Sequence, residues 1–400
     1  MQYNFSETTT KMKASKIREL MKYASMPGVI SLAGGNPDPI NFPFDDVKTI
    51  INNWDKNKSA VAMQYGSTGG FGPLQEMIIS RMQKRSLHRD GQSVLLTTGG
   101  QQGLFLISRI FINPGDVVLV EDPSFIGAIA AFLSHGAEII GIPLRSDGVD
   151  SEYMEKKIID LQKTGKNIKF FYTIPNFQNP TGVTMSQEKR KAIYDLSLKY
   201  NLPVLEDDPY GELFFKGSIE DYKPIKSHGN KAPIIYIGSF SKILCPGFRL
   251  GWIFADDIIV DKAGLAKQSV DACSSTFGQI IAHDYLSNDA IDRYLVKMRE
   301  VYSHKRNIML KEIDANFPST VKTTRPEGGF FIFVDLPEGM SGDKLFKIAI
   351  EKKVAFVTGE PFYTDPIEGD KHLRLAYSNS TDEQIKTAIE LIGNSMKNYR

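Results

Sequence analysis

The sequence predicts an α/β protein: a large domain on a mostly parallel, seven-stranded sheet, with a smaller α+β domain beside it. Three observations carry this. Short apolar runs rich in β-branched residues alternate with longer stretches of helical period, the pattern of a sheet built by crossovers. Most of the runs are continuously hydrophobic, as strands covered on both faces are. At 400 residues the chain also exceeds what one growing core serves, so two domains are expected.

In chain order, the first 45 residues hold one short helix, "ASKIRELMKYA", and then the extended Gly/Pro-rich stretch "SLAGGNPDPINFP". The strand candidates are "VLLTT" (94–98), "VVLVE" (117–121), "EIIGIPL" (138–144), "KFFYTI" (169–174), "PVLED" (203–207), "IIYIGSF" (234–240) and "LGWIFA" (250–255). Helical period marks 73–89, 101–112, 124–135 and 186–200. Only "SKILCPGFR" separates the last two strands, too little for a helical crossover, so one antiparallel strand is expected there. After about residue 290 the pattern changes. A long charged helix (289–315) leads to "GGFFIFVDL", a helix near 341–353, "VAFVTG", "HLRLAYS" and a terminal helix from 381. The expected division is a large domain over 46–290, with 1–45 and 291–400 forming the N-terminal segment and small domain.

Bulk charge narrows the function classes. With 48 basic against 47 acidic side chains, there is no electrostatic footprint for nucleic acid or an anionic membrane surface. Cys245 and Cys273 form neither a CxxC pair nor a disulfide framework, which suits a reducing compartment. No run approaches the ~18 apolar residues a membrane helix needs, and the N-terminus lacks the apolar core of a signal peptide. A cytoplasmic location is expected. The six histidines are scattered without ligand spacing, so no metal is expected.

Ligands of open α/β sheets bind beyond the carboxyl ends of the strands, and polar clusters fall there. "GGQQG" follows the first strand; glycines opening a helix let backbone N–H groups approach an anion, though a plain turn fits as well. "PNFQNPTG" follows 169–174, and "EDDPYGE" follows 203–207. Three adjacent carboxylates at a strand end are costly if buried without partners. Lys242 follows 234–240, and a lysine in a desolvated site becomes a nucleophile towards aldehydes. Arg249, Ser239 and Ser241 lie close by in sequence and suit a phosphate. An acid (Asp207), a tyrosine (Tyr210), an amide (Asn179), an amine and an anion site together match pyridoxal 5'-phosphate. That cofactor needs a Schiff-base lysine, a carboxylate for its ring nitrogen and a phosphate cradle.

With "NPTG", "EDDPY", "SFSK......R" and "HLRLAYS" in this order, the chain resembles the class I/II aminotransferases, the fold-type-I group of pyridoxal-phosphate enzymes, over nearly its whole length. "ASKIREL", "QYGSTGGFGPL" and "GGQQGL" look most like the branch of 2-aminoadipate, kynurenine and multi-substrate aminotransferases. The resemblance implies that Lys242 carries the cofactor and shuttles the proton from the substrate Cα. It implies that Asp207 pairs with the ring nitrogen, and that Asn179 and Tyr210 hydrogen-bond the phenolic oxygen. Gly100, Gln101, Ser239, Ser241 and Arg249 would hold the phosphate, and Phe125, where many relatives have tyrosine, would stack on the ring. Gly100 stands where close relatives often have serine. Arg374, helped by Asn179, would grip the substrate α-carboxylate, and Gly35 would form part of one wall. Tyr65 matches a tyrosine that reaches the neighbouring subunit's phosphate, which implies a homodimer with shared sites. Arg18 would meet a distal acidic group of the substrate. A cis bond is expected before Pro180.

The expected activity moves an amino group from an L-amino acid (2-aminoadipate, aromatic, branched or aliphatic) to a 2-oxo acid, 2-oxoglutarate first, by a ping-pong route. A C–S β-lyase or a decarboxylase on the same fold is the enzymatic alternative. A ligand-sensing regulator is the alternative from another class. Phe330 and Phe331 are expected near the substrate mouth.

Overall fold

The computed structural model describes residues 3–5, 22, 26–287 and 289–399. Strand β1 (Ile30–Ser31) leads into helices α1 (Phe44–Asn52), α2 (Lys56–Met63) and α3 (Gly72–Lys84). The main sheet takes β2 (Gln92–Thr97), β3 (Val117–Asp122), β4 (Glu138–Arg145), β5 (Gly148–Val149), β6 (Ile168–Thr173), β7 (Val204–Asp207), β8 (Ile234–Ser239) and β9 (Gly251–Asp256). Their spatial order is β2-β9-β8-β7-β6-β3-β4-β5. β2, β8, β7, β6, β3 and β4 run in one direction; β9 is antiparallel to both its neighbours, as the short connection required.

The sheet has eight strands rather than the expected seven. The additional strand, β5, is two residues long and antiparallel to β4, too short to leave an apolar run in the sequence.

Helices α4 (Gly100–Phe111), α5 (Ile126–Ser134), α6 (Ser151–Lys163) and α7 (Gln187–Tyr200) make the crossovers, and the short α8 (Phe240–Ile243) follows β8. Alternate residues of the central strands feed opposite faces: Val117 and Leu119 of β3 enter one core, Val118 and Val120 the other. That two-sided burial is why these strands read as continuous apolar runs. Local signals fix the ends of the crossovers. Asp150 caps α6 by accepting from the Tyr153 amide, and Ser186 caps α7 by accepting from Lys189, each satisfying a donor that helix geometry leaves unpaired.

Helices α9 (Asp257–Gln268) and α10 (Thr276–Ser287) lead to the 27-residue α11 (Ala290–Asn316). A second, antiparallel sheet follows, built from β10 (Lys322–Thr323), β11 (Phe331–Asp335), β13 (Val357–Thr358) and β14 (His372–Ala376) in the order β10-β11-β14-β13. Helix α12 (Gly342–Glu351) and strand β12 (Val354–Ala355) precede β13. β12 pairs in parallel with β1, so the N-terminal strand is fastened beside the second sheet. A terminal helix runs over Asp382–Lys397 from a capping box on Thr381 and Gln384. Among the described residues no helix is long and apolar enough to cross a membrane.

Candidate active site

Sheet register brings three strand ends side by side. Ser239 of β8 pairs with Gly251 of β9, and Gly251 pairs in turn with Thr97 of β2. The turn after β2 and the helix after β8 therefore lie next to each other. Gly99 holds φ +80°, in the region that favours glycine, and a Cβ there would fall 2.5 Å from Arg249 Nη2. The Arg249 guanidinium thus lies over the start of α4, whose first residues are Gly100 and Gln101. Among the described residues its hydrogen bonds go only to main-chain carbonyls, those of Pro246 and Thr98. Ser239 caps α8 by accepting from the Ser241 amide at 3.1 Å. Gln101 donates to the Gly127 carbonyl at 2.7 Å, and Phe125, at the N-cap of α5, packs against that same glycine.

Lys242 lies on α8, and its Nζ donates to the Gly35 carbonyl at 2.7 Å. Burial, with Arg374 and Arg249 nearby, pushes its amine down to about 8. Asp207 ends β7, next in the sheet to β8. Its carboxyl is pushed up to about 7, chiefly by burial. Tyr172 opposes that rise: its hydroxyl donates to Asp207 Oδ2 at 2.9 Å. Tyr172 pairs with Leu205, so Asp207, two residues on, is its diagonal neighbour on the same face.

The run of three carboxylates now has its explanation. Glu206 accepts from the Ile225 and Lys226 amides, and Asp208 from Arg85, Asn176, Tyr236 and the Gly211 amide. Two of the three are satisfied structural groups. Among the described residues Asp207 has only a tyrosine.

Arg374 comes from β14 of the second sheet and is 5% exposed. Nη1 donates to Asn179 Oδ1 at 2.8 Å and Nη2 to the Ala33 carbonyl at 2.6 Å, while the buried Nε has no partner among the described residues. The guanidinium stands 4.4 Å from the Phe331 ring and 5.0 Å from the Phe362 ring, and burial pulls it down to about 10. Asn179 precedes a cis peptide bond at Pro180, as expected. Its amide also bonds the Tyr210 oxygen, which favours loss of that proton, but burial outweighs this and keeps the hydroxyl protonated. Phe330 and Phe331 are fully buried rather than at the mouth. They line the floor instead: Tyr210 meets both rings edge-on, and Lys242 Nζ stands 5.7 Å from Phe330.

Lys242, Arg374, Asn179, Tyr210, Asp207, Gly35 and the Arg249 group thus form one constellation. Tyr65 stands apart, 83% exposed on a cavity of about 420 Å³ that Phe71 and Thr276 also line. Arg18 lies outside the described residues. Three contributors escaped the sequence reading. Tyr172 looks like any strand aromatic. Gln178 donates to Glu121 and Pro123 while accepting from Thr181, bracing the turn that carries Asn179. Ala33 acts through its backbone, which no side-chain motif reveals.

The charges are what fit a pyridoxal phosphate. Among the described residues Asp207 has no cationic partner, and Lys242, Arg249 and Arg374 have no carboxylate partner. Asp207 and Arg374 are buried and Lys242 is half-buried, and buried charges ordinarily have one; Arg249 is exposed at the edge of the group. A cationic ring nitrogen, a carbonyl, a phosphate and a substrate carboxylate would complement them in turn.

A family model described as aminotransferase class I and II matches residues 27–392. The chain is 41% identical to aromatic-amino-acid aminotransferase 1 of Thermococcus litoralis, covering 98% of this chain and 94% of that protein. It is 34% identical to the 2-aminoadipate transaminase of Thermus thermophilus, over 98% of this chain and 96% of the relative. The crystal structure of Pyrococcus horikoshii kynurenine aminotransferase is similar with a TM-score of 0.94 at 40% identity, covering 98% of this chain and 97% of that one.

Proposed function

This chain belongs to the class I and II aminotransferases, pyridoxal-phosphate enzymes of fold type I, and from that premise we propose that it transfers the amino group of an aromatic, aliphatic or 2-aminoadipate-type L-amino acid to a 2-oxo acid, 2-oxoglutarate first. The observation that carries the proposal is the set of unpaired charges at one place: Asp207 on one side, Lys242, Arg249 and Arg374 on the other. The aromatic floor of Phe330, Phe331 and Tyr210 supports apolar side chains, and the relatives' names point the same way.

Residue roles follow from position and protonation. Gly100, Gln101, Ser239, Ser241 and Arg249 would hold the phosphate; Asp207 would face the ring nitrogen, Asn179 and Tyr210 the phenolic oxygen, and Phe125 a ring face. The bound cofactor supplies an electron sink for the pair left when the substrate Cα–H bond breaks. Lys242 Nζ takes and returns that proton. With the amine at about 8, roughly a tenth of it is unprotonated at pH 7, and the Gly35 carbonyl holds it in place. Arg374 presents a planar fork to the α-carboxylate, with Asn179 fixing its plane and Gly35 closing one side. Arg18 remains the candidate for a distal carboxylate. The exposed Tyr65 suits a contact across a homodimer, where it would complete the partner's phosphate site.

We assign residues 46–290 to the cofactor domain, with 1–45 and 291–400 as N-terminal segment and small domain, and place the enzyme in the cytoplasm. Amino and 2-oxo acids would alternate at one site in ping-pong order. The test is Lys242→Ala assayed with a panel of amino donors and 2-oxoglutarate. Visible absorbance of covalently held cofactor should vanish, and turnover should fall by about 10⁴-fold or more. Turnover within about tenfold of wild type would overturn the assignment.

A further inference from the structure

Residues 33–38 form a strap between β1 and the first helix, and its carbonyls occupy two of the site's three cations, Arg374 and Lys242. Ala33 accepts from Arg374 and Gly35 accepts from Lys242. A Cβ on Gly35 would fall 2.4 Å from the tip of the Phe331 ring, so the strap lies directly on the aromatic floor. A substrate carboxylate that takes Arg374 must share or displace the Ala33 carbonyl, and an amine at Lys242 competes with Gly35. The strap's bonds at Ala33 and Gly35 would therefore be shared or exchanged with an entering substrate.

What remains is at its far end. Asp38 and Lys305 of α11 are both under a tenth exposed and form an ion pair of 2.6 Å. Lys305 Nζ also donates to the Ser378 carbonyl, whose residue's hydroxyl donates to the Asn36 carbonyl at 2.6 Å. The Asp38 amide donates to the Tyr302 hydroxyl at 3.3 Å, and the Tyr302 ring meets Phe330 edge-on at 4.8 Å. Removing one member of a buried pair leaves an uncompensated charge, so this anchor persists while the bonds at Ala33 and Gly35 are exchanged. The strap's start is held independently by the β1–β12 pairing.

We propose that Asp38 and Lys305 are positioning residues for the substrate: their ion pair sets the height of the strap over Arg374 and Lys242, and with it the room for the amino acid. This rests on reading Arg374 as the carboxylate site. Neither residue is in the cofactor cradle, so the pair should govern substrate capture and leave cofactor capture alone.

The experiment compares wild type, Asp38→Asn, Lys305→Met, the double variant, Asp38→Glu and Arg374→Ala as holoenzymes, following the amino-acid half-reaction at the cofactor's absorbance. For Asp38→Asn and Lys305→Met the half-saturating amino acid concentration should rise about tenfold, with the limiting rate changed less than about threefold. The double variant should be no worse than the worse single, because the two act through one interaction. Cofactor dissociation should stay within about twofold of wild type, and amide exchange over 32–38 should speed up. An unchanged half-saturation in the folded single variants, or multiplied effects in the double, would overturn the proposal. Asp38→Glu keeps the charges but displaces them by one methylene, which covers the case of neutral variants that do not fold. It should raise half-saturation about threefold, and an unchanged value counts against the anchor. Arg374→Ala separates the two claims. If it leaves half-saturation unchanged while Asp38→Asn raises it, the carboxylate reading fails and the anchor stands; the reverse sinks the anchor alone.

Discussion

Arg374 of the second sheet points Nη1 at Asn179 of the main sheet's loop, 2.8 Å away, and its Nε is buried with no partner. A guanidinium oriented by Asn179, with Nε unsatisfied and Nη2 held only by the Ala33 carbonyl, is prepared for a bidentate anion that shares or displaces that carbonyl. Arg374→Lys keeps the charge and loses the fork. It should lower kcat/KM for amino donors by about 100-fold, the scale of one charged hydrogen-bond pair, with cofactor affinity intact. Steady-state kinetics with a fluorescence titration of cofactor binding checks both halves. Equal loss in both would move Arg374 out of the carboxylate role.

Tyr172 is the sole side chain bonded to Asp207 among the described residues. Its hydroxyl stabilises the carboxylate form against the rise caused by burial. Tyr172→Phe removes that donor while keeping the ring that packs on Phe132. The carboxyl should then hold its proton to higher pH, and cofactor should dissociate about tenfold more readily at pH 7. Equilibrium dialysis measures it, and an unchanged constant would mean that Asp207 does not depend on this bond.

How much of this was legible follows from the kind of signal each part leaves. All seven longer strands of the main sheet could be read, because burial on both faces makes the central ones continuous apolar runs and the less buried β4 is still mostly apolar. β5 could not, being two residues long. Helix α6 went unread although Met154, Ile158 and Leu161 mark its buried face, because Glu and Lys residues interrupt the apolar ones. Side chains proposed to meet the ligand were legible, since their chemistry is unusual at a strand end. Their supports were not. Tyr172 differs from a core tyrosine only by its diagonal neighbour, and the Asp38–Lys305 pair joins residues 267 positions apart.

Stability of the cofactor-free protein should rise on mild acidification. Glu121, Glu206 and Asp207 are each pushed up to about 7, chiefly by burial. A carboxyl with a raised folded value favours the native state below its unfolded value near 4, and that contribution is lost as pH climbs through 7. His228, pushed down by burial, works against this in the acid half of the window. Asp116, Glu212 and Asp271, held below their ordinary values, turn the trend over once pH drops below about 4. Melting should occur about 4 °C higher at pH 5.5 than at pH 8. Scanning calorimetry across pH 4–8 decides it, and a melting temperature that rises steadily to pH 8 would show these groups ionised and paired in the native state.

Two glycines at the proposed phosphate cradle should respond differently. A Cβ on Gly251 would fall 2.8 Å from the Gly100 nitrogen and 2.9 Å from the Gly238 carbonyl oxygen. These are backbone atoms of the elements that flank it, so Gly251→Ala must push β9 away from the start of α4. A Cβ on Gly100 meets only ordinary contacts, 3.7 Å from Ile237 and 3.9 Å from Ser239. Gly100→Ser adds a hydroxyl at a helix N-terminus, where an anion is favoured, without moving the backbone. Gly251→Ala should weaken cofactor binding about tenfold or more and lower the melting temperature. Gly100→Ser should bind cofactor as tightly as wild type or up to about fivefold tighter. Dissociation constants for the two variants measured side by side test the cradle's geometry directly: weaker binding in Gly100→Ser would mean that the phosphate already fills the space beside that residue.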